Sequence, residues 1–129
     1  MQISISDLKS NVLLLDGKPQ MVINSPEQRQ AAPMRVIDAF RNALNAIFQD
    51  EENPQNGKTL SFEKKMQRYE ISKRLWSSLD NEDGNVELTI EEAAELKSVV
   101  SKMYAGEVLG FLVSIIEKSG YPSKTNIGR

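Results

Sequence analysis

Apolar residues along this chain recur with two periods, and the period predicts the element. Between Met34 and about Phe48, the residues Val36, Ile37, Phe40, Leu44, Ile47 and Phe48 return at spacings of three and four. That is one face of a helix, with Pro33 placed to open it and Arg35, Asp38, Arg41 and Asn42 largely off the face. Pro54 and Asn56-Gly57 break the pattern afterwards. Ser61 can cap a second helix over about Phe62 to Leu79. Phe62, Met66, Tyr69, Trp76 and Leu79 share a broad face there, with Ile71 and Leu75 beside it. Phe62, Tyr69 and Trp76 recur every seven residues and read as core.

The segment "TIEE" at Thr89–Glu92 has capping-box form and predicts a third helix, with Ala93, Leu96, Val100 and Met103 on its stripe. Gly106 weakens or ends it. A fourth helix then runs to about Lys118, with Val108, Leu109, Leu112, Ile115 and Ile116 inward. Phe111 and Val113 make that helix apolar over much of its circumference, so it is either central to the fold or a homodimer interface.

The first 24 residues carry the shorter period. "QISIS" alternates polar and apolar residues, and Asp16-Gly17 lies between two apolar runs, a hairpin signal. "NVEL" at Asn85–Leu88 is a short strand that can join this hairpin. The expected fold is α+β, mainly α: an N-terminal β hairpin packed with about four helices. It forms a single globular domain over residues 1–119, with a flexible tail over 120–129.

Composition narrows the chemistry. The chain has 129 residues, no cysteine and no histidine. Thiol and imidazole nucleophiles, disulfides and cysteine-ligated metals are thereby excluded, and no side chain titrates near neutrality without a strong perturbation. The expectation is a non-enzymatic protein with no cofactor. The start "MQISISDLKS" lacks the basic and apolar regions of a signal peptide. "VLGFLVSII" is too short to span a bilayer. Together these features predict a cytoplasmic protein with no membrane partner.

The loop "LDNEDGNVELTIEE" invites a calcium reading, which fails on register. With Gly84 in sixth place, Leu79 is first and Ile90 twelfth, and neither ligates a hard cation. No metal site is expected, and the acidity solvates a turn. Charge is nevertheless segregated. Lys58–Arg74 holds six basic and two acidic residues, whereas Asp80–Lys97 holds seven acidic and one basic. The acidic residues Asp80, Glu82, Asp83, Glu87, Glu91, Glu92 and Glu95 form a candidate surface for a protein partner. The basic residues Lys64, Lys65, Arg68, Lys73 and Arg74 form the alternative candidate, a nucleic-acid contact. Solvated amphipathic helix faces account for both sets most simply.

Three segments carry a resemblance: "LDGKP" at Leu15–Pro19, "LSFEKKMQRYEIS" from Leu60 and "VELTIEEAAELKSVVSKMY" from Val86. They resemble a group of small phage- and prophage-encoded proteins with DGKP, LSxEEKxxRYEL-like and VELTAEE-like segments. "SKMYAGE" stands here where that group has "GKAY" and then proline, so the junction before the last helix differs. The resemblance implies phage origin and a single small domain, and no activity. The expected function is therefore a phage accessory protein that binds a host or phage protein, as a host-factor or defence inhibitor or a virion-assembly helper. The alternative is a nucleic-acid-associated replication or recombination accessory.

Overall fold

A computed structural model describes residues 1–23 and 25–118. Its elements run β1 (Gln2–Ser4), α1 (Ile5–Lys9), β2 (Met21–Val22), β3 (Ala32–Pro33), α2 (Val36–Asn45), a 3-10 turn (Pro54–Asn56), α3 (Phe62–Ser78), β4 (Asn85–Glu87), α4 (Ile90–Met103) and α5 (Gly106–Lys118). The fold is α+β and mainly α, as the periodicities predict. The tail expected at residues 120–129 lies outside the described residues.

The N-terminal segment departs from a simple hairpin. Only Gln2–Ser4 of "QISIS" is extended, and β1 pairs antiparallel with β4, Ile3 opposite Val86. "NVEL" thus joins the chain start rather than the hairpin arms. Ser4 then caps α1, its hydroxyl accepting from the Asp7 N–H at 3.3 Å. A single helical turn there buries Ile5 and Leu8 together, which alternation cannot do. The turn at Asp16-Gly17 forms where expected: Gly17 has φ +83°, and the Leu14 N–H donates to the Lys18 carbonyl at 2.8 Å. Its arms touch only through a Leu13–Pro19 bridge, and β2 continues onto β3 instead. Pro33 therefore ends a strand rather than opening a helix.

Helix α2 is shorter than its apolar pattern. It begins at Val36 and stops at Asn45, where Ala46 turns extended (ψ 154°). The Asn45 side chain donates to the Arg41 carbonyl at 2.8 Å, satisfying one group that the helix end leaves open. Ile47 and Phe48 thus lie beyond the helix, Ile47 exposed and Phe48 half-buried.

The core centres on Phe40, whose helix lies against both α3 and α4, while α5 packs on α4. Ile3, Ile5, Leu8 and Val12 close one side, and Leu112, Ile115 and Ile116 close another. Each such side chain contributes about 1.5–3 kcal/mol by leaving water. The capping box of α4 is present: Thr89 Oγ1 accepts from the Glu92 N–H at 3.1 Å, and Glu92 Oε1 from the Thr89 N–H at 2.9 Å. Val99 joins Ala93, Leu96 and Val100 inside, whereas Met103 is exposed. Between α4 and α5, Tyr104 is extended and Gly106 takes φ +61°.

Candidate partner-binding face on α3

Helix α3 carries apolar residues on two opposite sides. Ser61 caps it, its hydroxyl accepting from the Lys64 N–H at 3.2 Å. The inward side holds Ile71, Leu75, Ser72 and Arg68, all buried. The outward side holds Phe62, Met66, Tyr69 and Trp76, which are 72, 38, 51 and 44% exposed. The aromatic residues read as core from their spacing therefore face solvent. The cause is angular. At about 100° per residue, the nine steps from Phe62 to Ile71 make about two and a half turns, which leaves the two residues on opposite sides. The two groups cannot share a face, and the inward place goes to the pair that meets α2 and α4.

Arg68 replaces an apolar side chain on the inward face and is only 4% exposed. Its guanidinium donates twice to Glu51 (2.7 and 2.6 Å) and once to Glu95 (2.6 Å). Lys64 donates to the other Glu95 oxygen at 3.0 Å, and Lys102 to Glu51 at 2.6 Å and Asp50 at 3.0 Å. The forked geometry and the complete pairing make this buried charge tolerable. Arg68, ahead of Lys102, holds the Glu51 carboxyl down at about 2, against 4.5 ordinarily. The same contacts raise the Arg68 pKa, that to Glu51 most. The network ties the segment after α2 to α3 and α4.

The two charged segments of the sequence turn out to be each other's partners. Lys64 and Arg68 bind Glu95, and Arg74 binds Glu92 at 2.8 Å. Arg74 is also the chief cause of a lowered Glu92 pKa. Lys65 binds Glu52 at 2.7 Å. Of the candidate basic set, Lys73 alone has no ion-pair partner among the described residues. The candidate acidic set is likewise divided. Glu95 is buried, Glu92 is spent on Arg74 and the helix cap, and Glu87 meets the Met1 amino group at 3.1 Å. Asp80, Glu82, Asp83 and Glu91 stay exposed.

The outward face has its own organisation. Phe62, Met66, Tyr69, Lys73 and Trp76 follow one another at alternating steps of four and three, a straight seam along the helix. The Arg41 guanidinium of α2 lies 4.3 Å from the Trp76 ring centroid, a cation–π contact that orients the indole. Lys73 sits one turn before Trp76 on the same face. Beside the seam, between α2 and the start of α3, is a cleft of about 300 Å³ lined by Ile47, Phe48, Leu60, Lys65 and Arg68 among others.

No family model, curated protein or solved structure matches this chain.

Among the described residues, no three acidic side chains converge as a group able to hold a metal ion. No helix there is long and apolar enough to cross a membrane. The seam was missed as a surface, although the sequence carried a signal for it. Ile71 and Leu75 lie opposite Phe62 and Met66 on a helical wheel, so one apolar group had to face outward.

Proposed function

We propose that this chain is a non-enzymatic protein-binding module, and that the outward face of α3 is its contact surface. The exposed run Phe62, Met66, Tyr69 and Trp76 supports this reading. Surfaces of monomers seldom align four large apolar side chains without a use. Trp, Tyr, Phe, Met and Arg are also the residue types enriched where proteins bind one another, and Trp, Tyr and Arg carry most of the binding energy. In this reading, the phage resemblance suggests a host or phage protein as partner, and the proposed location is the cytoplasm of a bacterial host. It acts there as an inhibitor of a host factor or defence, or as an assembly helper.

The alternative, a nucleic-acid accessory, draws on the same segment. Ion pairing of Lys64, Lys65, Arg68 and Arg74 within the fold weighs against it, because neutralised cations release few counterions from phosphates.

The test is paired capture from infected or lysogenic cells with the wild-type chain and a Tyr69→Ser/Trp76→Ser variant of unchanged circular dichroism. A protein retained in proportion by the first and lost by the second is the expected result. Identical retention by both removes α3 as the contact surface, and measurable turnover of a substrate removes the non-enzymatic reading.

A further inference from the structure

Resting on that reading, we infer that the α3 seam receives an amphipathic helix of another protein with carboxylates along one flank. The shape of the seam supports a helical occupant. From Phe62 to Trp76 it extends about 21 Å along one straight helix, at the four-and-three spacing that a second helix matches. The complement of such a line is a linear element of similar length, about four turns.

Charge identifies the flank. On α3 and the neighbouring helix α2, the cations Lys64, Lys65, Arg68 and Arg74 all have carboxylate partners, as does Arg35 at the start of α2. Arg41 and Lys73 have none among the described residues, and both adjoin Trp76. Lys73 lies within the seam, so whatever covers the seam also covers its ammonium group. A buried cation left without a counter-charge is costly, so the occupant supplies carboxylates at the Trp76 end. The opposite edge of the seam carries Glu63 and Glu70, exposed and without ion-pair partners among the described residues. The occupant's carboxylates therefore run along the Arg41 side alone.

This pattern disfavours the other occupants. A second copy laid antiparallel about Tyr69 would set the exposed Glu70 against its own counterpart, like charge on like charge. A nucleic-acid strand would carry phosphates past Glu63 and Glu70.

The experiment titrates the intact chain, read through Trp76, its sole tryptophan. The probes are two designed helical peptides of about 18 residues with the same leucine seam. One has glutamates along a single flank, and the other has lysines there. The glutamate peptide is expected to bind at least tenfold more tightly. Lys73→Glu is expected to reverse that order while leaving the helical spectrum unchanged, because Lys73 is exposed. Equal binding of the two peptides, preference for the lysine peptide, or no binding by either overturns the inference. So does concentration-dependent dimerisation by light scattering that the seam variant abolishes, or tight, salt-sensitive binding of single-stranded DNA on the seam. If the peptides fail while Tyr69→Ser/Trp76→Ser still loses a captured cellular protein, the acidic helix is wrong and the protein-binding surface stands. If both fail, the surface itself is wrong.

Discussion

The two faces of α3 reverse the usual order of burial. The inward face encloses a guanidinium and a carboxylate, Arg68 and Glu95, beside Ile71 and Leu75. The outward face exposes two aromatic rings and an indole. Charged side chains are rarely buried unless paired, and large apolar ones cluster on a surface chiefly where something covers them. The difference separates two tasks within one helix. The inward charges lock α3 to α4 and to the segment after α2, and they do so completely, so little electrostatic attraction remains there for a partner. The outward apolar seam is largely exposed, and Arg41 and Lys73 beside Trp76 have no carboxylate partner among the described residues.

Breaking the inward face has the larger effect. Arg68→Ala leaves Glu51 and Glu95 partly buried and short of a partner, and is expected to cost about 3–5 kcal/mol in urea unfolding. Arg68→Met, which fills the space but not the charge, also destabilises, because both carboxylates remain. Removing the α4 cap with Thr89→Ala is expected to cost about 1 kcal/mol by the same measurement. On the outward face, Trp76→Ser loses the Arg41 contact, a loss of about 0.5–1 kcal/mol. Tyr69→Ser is expected to change stability by less than about 0.5 kcal/mol. If Tyr69→Ser unfolds the protein as severely as Arg68→Ala, the division of tasks between the faces is wrong.

Acid sharpens the same contrast. The Glu51 pKa is lowered in the fold to about 2 from 4.5. A lowered carboxylate contributes stability that is fully present above its unfolded pKa and disappears as pH falls through its folded one. Stability measured by denaturant titration is therefore expected to decline between about pH 4.5 and 2, and Glu51→Gln to flatten that decline. Fluorescence of Trp76, which lies on the outward face of α3 away from the Arg68–Glu51 pairing, is expected to hold steady until the chain unfolds.

What the sequence determined by itself is local. Ser61 and the Thr89–Glu92 box mark helix starts because a cap needs only residues within one turn of each other. Asp16-Gly17 marks a turn because glycine accepts its backbone angle. The periodicity also identified α3, α4 and α5 and the mainly helical class. Tertiary structure decided the rest. Alternation in "QISIS" yielded to a helical turn once Ile5 and Leu8 had a core to enter, and β1 found β4, more than eighty residues away. The apparent separation of a basic and an acidic segment became a set of ion pairs across α3 and α4. On α3, period alone marked two apolar stripes without ranking them. Only the arrival of Glu51 and Glu95 around Arg68, with the apolar sides of α2 and α4 against Ile71 and Leu75, turned one stripe inward and left Phe62, Met66, Tyr69 and Trp76 facing water.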